Sequence, residues 1–191
     1  MSNDKDALGE RGRSLETEYF RRRDQELLDR AREAEAAAER RRQLAAALGI
    51  ADDAVVAKLA ELGFDGGTAP LLDIVPAIQV AWSDGSLPAA ERGEIERILA
   101  RSEMKEAARL GGRMVADWLS RRPGGDLYRV ATEALRLRLA RLDADSRKRL
   151  VGGIIDDCNA VAAASGGVFG LGAHSSAESK IISELAASFG K

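Results

Sequence analysis

A chain of 191 residues, 45% hydrophobic and 31% charged, is long enough for one domain with a packed core plus an appendage. Lys and Arg at 29 nearly balance Asp and Glu at 31, which removes the global basic field that drives non-specific binding to nucleic acid. The opening MSNDKDALGERGR has no apolar signal-peptide core, and no run approaches the roughly 18 apolar residues of a membrane span, so a cytoplasmic protein with at most peripheral membrane contact is expected.

Aromatic residues make up 4% of the chain, and no alternating apolar run of strand length stands out. The expected fold is therefore all-α. Residues 1–6 read as a disordered N-terminus, 7–48 as a charged helix and 49–191 as a compact helical domain. Between Gly9 and Gln43 the first helix carries 10 Arg and 9 acidic residues, interleaved at three- and four-residue spacing that supports ion pairs along an exposed helix. Leu8, Leu15, Tyr19, Leu27, Leu28 and Ala31 mark a thin apolar stripe, so this segment is either a coiled coil or a free helix.

Gly49 closes that helix. Asp52 or Asp53 caps a short one carrying Val55, Val56, Leu59 and Leu62, which Gly63 stops. From Thr68 to Trp82 the residues are apolar almost all round, which predicts a central buried helix. Pro76 places either a kink or a true helix start inside it. The next helix begins near Pro88 and presents Ile95, Ile98 and Leu99. A further segment carries Leu110, Met114, Val115, Trp118 and Leu119, with Gly111-Gly112 near its start or at a break. After the turn Arg122-Pro123-Gly124-Gly125, Asp126 is expected to cap a helix reaching Leu142. Asp143 to Ser146 start another through Cys158, the single cysteine, which reads as a small core residue. Gly166-Gly167 ends it, and a last helix runs from about Ser176 to Phe189.

The loop VAWSDGSLPAAE, Val80 to Glu91, raises the choice between a metal site and a turn. Gly85, five residues and Glu91 fit the end of a calcium-binding helix-loop-helix pattern, with Asp84 before the glycine. Val80 and Trp82, however, occupy positions that require oxygen donors. A second loop, Leu171 to Glu178, again has a glycine, five residues and a glutamate, and its Ser175 to Glu178 is a capping box. Pro88 stands where Ser175 stands, so two similar halves are expected, each with a loop leading into a helix.

Ala81 to Glu91 resembles the AWADGxVSxxE signature of the tellurite-resistance TerB family, and Gly166 to Glu178 looks like its counterpart near the family's C-terminal end. The resemblance covers about Asp52 to Lys191. It implies a compact bundle of about seven helices and a non-enzymatic binding or scaffold role in stress-related or membrane-associated assemblies. It further implies a divalent cation, calcium, magnesium or manganese, held by Asp84, Glu91 and Glu178. The sequence departs from the family at Pro88, in place of serine, and at Leu171, in place of an acidic residue.

Glu16 to Leu28 is similar to the inhibitory segment of the mitochondrial ATP synthase inhibitor, around its E-x-x-Y-F-R-x-R-x-x-E-x-L pattern. That likeness implies a helix seated in a partner's groove through Tyr19, Phe20, Arg21, Arg23 and Leu27. Partner binding or self-association through the N-terminal helix is expected on either reading.

Catalytic signatures are missing from the sequence. His174 is the only histidine and sits in a glycine-rich turn, there is no G-x-x-x-x-G-K-[ST] loop, and there is no C-x-x-C pair. Arg121 and Arg122 read as complements to a helix dipole, and Asp143, Asp145, Asp156 and Asp157 as capping or exposed acids. The expected function is a TerB-like binding or scaffold protein. Regulation of a partner ATPase, or a structural coiled-coil oligomer, are the alternatives.

Overall fold

The computed structural model describes the backbone of residues 3–164 and 176–190, with side chains from Glu18 onward. All of the regular structure among these residues is helical. The helices are α1 (Asn3–Leu48), α2 (Asp53–Glu61), a 3-10 helix (Ala69–Ile74), α3 (Val75–Ala81), α4 (Ala89–Leu99), α5 (Ser102–Leu110), α6 (Gly112–Ser120), α7 (Gly125–Leu139), α8 (Ala144–Ala164) and α9 (Ser176–Phe189). No helix among them is long and apolar enough to cross a membrane. The chain divides into two units, Met1–Arg40 and Arg41–Lys191.

The first unit is the charged part of α1, which starts at Asn3 rather than at Ala7. Its surface is laced by pairs such as Arg22 with Glu18 at 2.8 Å and Arg32 with Asp29 at 3.4 Å. Good helix formers and such pairs support a helix without tertiary packing.

In the second unit the last turns of α1 bury Leu44 and Leu48, and Gly49 (φ 65°) turns the chain back. Asp52 is the cap of α2, its Oδ1 accepting from the Ala54 and Val55 N–H groups at 3.0 Å. Gly63 (φ 93°) ends the helix as expected, and the Phe64 N–H donates to the Leu59 carbonyl at 3.0 Å. The stretch expected as one helix from Thr68 to Trp82 is two. A 3-10 helix stops at Ile74, and Pro76 lies in the first turn of α3, where its missing N–H has no intrahelical partner to lose.

Helix α3 is the centre of the unit. Val75, Pro76, Ala77, Ile78, Val80 and Ala81 are all buried, and α4, α7, α8, α9 and the 3-10 helix pack around it. Among the described residues the bundle thus has α2 to α9, against the expected seven or so. The added element is α5, which buries only Met104 and Ala107, too few apolar positions to mark it in the sequence. It is separated from α6 at Gly111, where a Cβ would come within 2.6 Å of Leu71 Cδ1. Asp126 does not cap α7. Gly124 holds the cap position, and Asp126 pairs in the first turn with Arg129 at 2.9 Å. Asp143 does cap α8, through the Ser146 N–H at 2.9 Å. Leu142 falls in the turn after α7.

Two ion pairs join elements distant in sequence around this centre. Arg138 of α7 meets Asp73 of the 3-10 helix at 2.7 Å, and Arg101, ahead of α5, meets Asp157 of α8 at 2.7 Å. Burial holds Asp73 above the usual aspartate range, opposed by Arg138 and reinforced by the charge of Asp157. Burial likewise raises Asp157, against the pull of Arg101.

A carboxyl raised on folding stabilises most below its unfolded pKa, and that share is lost as pH climbs through the folded value. Arg138→Ala removes the cation opposing that loss at Asp73. It is expected to raise the Asp73 value further by NMR titration, and to lower the Tm more at pH 7 than at about pH 3, where a protonated Asp73 carries no charge to strand. An equal loss at both pH values would show that Arg138 acts only by packing.

Candidate functional site

The loop after α3 is built from local backbone constraints. Trp82 ends the helix, its N–H donating to the Ile78 carbonyl at 3.1 Å, and the Gly85 N–H returns to the Trp82 carbonyl at 3.1 Å. Gly85 has φ 89°, a conformation that side-chain-bearing residues rarely adopt. Asp84 Oδ1 accepts from the Ser86 N–H at 2.9 Å and from the Ser86 hydroxyl at 3.1 Å, which locks the turn. Pro88 then holds the cap position of α4, in an extended conformation.

The metal ligands expected from the sequence fall in different environments. Asp84 is exposed and its Oδ1 is committed to Ser86. Glu91 is 2% and Glu178 5% exposed, each on the first turn of its helix. Both are engaged in polar interactions, and a carboxylate in a helix's first turn is favoured by the backbone dipole. Among the described residues no three His, Cys, Asp or Glu side chains gather into a group able to hold an ion. A hard divalent cation takes about six or more oxygens, and Asp84, Glu91 and Glu178 are three carboxylates in unlike surroundings. The second loop, with Leu171, His174 and Ser175, lies outside the described residues.

What the loop does bring together is a helix end. The last carbonyls of a helix have no intrahelical donor. The Trp82 indole N–H donates to the Trp118 carbonyl of α6 at 2.9 Å, and the Arg92 guanidinium donates to the neighbouring Leu119 carbonyl. Phe64 packs on the Trp118 ring with centroids 5.9 Å apart. Trp82 of the motif and Arg92, the residue that follows it, therefore cap α6 and pin the corner between α3 and α4 against it. Arg121, expected to complement a helix end, lies at the C-terminal cap of α6 and reaches back to Asp117 at 3.7 Å. Arg92 gave no signal in the sequence, since its acceptor is 27 residues away.

The partner-binding residues expected on α1 do share a solvent-exposed stretch. Tyr19, Phe20, Leu27 and Leu28 are 59%, 62%, 55% and 53% exposed. The Tyr19 and Phe20 rings meet edge to face at 5.8 Å. Arg21 and Arg23 are exposed and have no ion pair among the described residues. These are large apolar groups left in water on an otherwise charged helix.

A shallow groove of ≈ 490 Å³ lies beside α7, lined by Gln79, Tyr128, Thr132 and Arg136 among others. The Tyr128 hydroxyl is buried without a hydrogen-bond partner among the described residues, and burial pushes its pKa up to about 12. Sequence reasoning had no cue to it, because Tyr128 occupies an ordinary helical position.

Comparison with protein families, with curated proteins and with solved structures finds no match to this chain.

Trp82→Phe keeps the ring packing and removes the donor to the Trp118 carbonyl. It is expected to cost about 1–3 kcal/mol of unfolding free energy, the penalty of stranding a buried acceptor, measurable by urea denaturation. A change near zero would show that the indole hydrogen bond is not what secures α6.

Proposed function

We propose that the chain is a non-enzymatic, TerB-like binding or scaffold protein of a stress-related cytoplasmic assembly, in which the α3–α4 loop is a structural corner and α1 is the arm that meets a protein partner. The observation that carries this reading is the exposed run of Tyr19, Phe20, Leu27 and Leu28 on a helix whose other side chains are mostly charged. The Trp82, Asp84, Gly85 and Glu91 pattern supports the TerB-like part, through a turn held by Asp84 and a buried glutamate at the start of α4. A second reading, regulation of a partner ATPase by residues 16–28, draws support from Arg21 and Arg23. Their charges follow directly on the aromatic pair and suit an acidic groove.

Replacing Tyr19, Phe20, Leu27 and Leu28 together by alanine is expected to change the unfolding free energy of the full chain by no more than about 0.5 kcal/mol, as for surface substitutions away from the core. A loss of several kcal/mol would mean that the stripe packs on its own chain, and would overturn the arm.

No ion is needed for this role. Titration calorimetry with calcium, magnesium and manganese is expected to give no saturable heat. Tight binding abolished by Asp84→Asn with Glu91→Gln would overturn the structural reading of the loop.

A further inference from the structure

Resting on the reading of α1 as a binding arm, we infer that the occupant of its apolar stripe is the same stripe of a second copy of this chain, aligned parallel and in register. Phe20, Leu27 and Ala34 recur at heptad spacing, and Asp24, Ala31 and Ala38 fall at the alternating positions between them. This is the a/d seam of a two-stranded coiled coil, with Phe20, Leu27 and Ala34 at d. The large side chains fill the early layers of the seam. The alanines that follow let two backbones approach closely.

The flanking charges select the orientation. With this seam, Arg23 and Arg30 occupy g, while Arg21, Leu28 and Glu35 occupy e. In a parallel pair each g residue faces the next e residue of the other helix, so Arg30 meets Glu35 and Arg23 lies against the apolar Leu28. In an antiparallel pair centred on the same stripe, g faces g, and Arg23 meets Arg30 in a repulsive contact. Arg23, Arg30 and Glu35 are exposed and have no ion pair among the described residues, so their charges are available for a second helix.

Asp24 is the polar member of the seam. Facing its counterpart across a parallel pair, it sets two like charges together and weakens the association. The dimer is therefore reversible, and its population depends on protein concentration.

The test uses the full chain. Light scattering across a concentration series should show a monomer–dimer equilibrium, and Arg30→Glu should weaken it about fivefold, the effect of turning two symmetry-related surface attractions into repulsions. Adding Glu35→Arg to that variant should restore the affinity. An Ala34→Cys variant should form a disulfide-linked dimer on mild oxidation. The native Cys158 does not compete, being 0% exposed.

Tighter association of Arg30→Glu would overturn the parallel alignment in favour of the antiparallel one. A dimer indifferent to Arg30→Glu and without the cross-link would place the interface elsewhere and overturn the inference. A monomer at every concentration whose introduced thiol labels rapidly would overturn self-association, leaving the arm free for a different protein. A monomer whose introduced thiol resists labelling would overturn both readings, because the stripe would then be covered by its own chain.

Discussion

Helix α3 has almost no side fit for water, since of its residues only Gln79 escapes full burial. An amphipathic helix needs cover on one face, whereas a helix apolar all round needs it everywhere. That requirement organises the second unit. Helices α4, α7, α8 and α9 and the 3-10 helix all contact α3, and their inward residues, among them Ile95, Ile98, Leu135, Leu139, Val161 and Phe189, are nearly or wholly buried. Pro76 lets so short a helix begin abruptly inside the core, and the Trp82 turn lets it stop there without leaving backbone groups stranded. The polar device at Trp82 and Arg92 follows from this. Ending a helix among other helices requires donors for whichever carbonyls the corner buries.

Features set by one residue's own backbone were readable from the sequence. Gly49, Gly63 and Gly85 stop or turn the chain where their positive φ is needed, Pro76 marks a start, and Asp52 and Asp143 cap as their positions imply. Properties that depend on neighbours distant in sequence were not readable. Helix α5 has two buried residues and borrows its place from the packing of Met104 and Ala107 on the core. The Arg138–Asp73 and Arg101–Asp157 pairs join residues 65 and 56 positions apart, and nothing local marks them among the many other arginines. At the candidate site, spacing marked the turn at Gly85 and set Glu91 and Glu178 near the starts of their helices. It could not reveal that Asp84 faces water while Glu91 and Glu178 face inward, because that depends on which side of each helix meets the core.

The two units use the same residue types under opposite rules. In the first, arginine and glutamate sit one turn apart in water, where each pair contributes a few tenths of a kcal/mol and salt screens it. In the second, the pairs that matter are cross-helical and half-buried. There desolvation competes with attraction, as the raised values of Asp73 and Asp157 record. Breaking such a pair strands a half-buried charge, so its loss costs more than its presence contributes. Exposed large apolar groups are likewise concentrated on the first unit. The second carries only Leu110 and Leu142 in that class among the described residues.

Cys158 sits in the middle of α8 with its side chain wholly enclosed and its thiol pushed up to about 12 by burial. Only the thiolate attacks electrophiles, so the closed molecule is inert to them at neutral pH and modification waits for the helices around α8 to part. The pace at which a small thiol reagent consumes the native protein is then a clock for that opening. While reclosing outruns the reagent, the clock reads how much of the molecule is open at any instant, and once reagent outruns reclosing it reads how often the bundle comes apart.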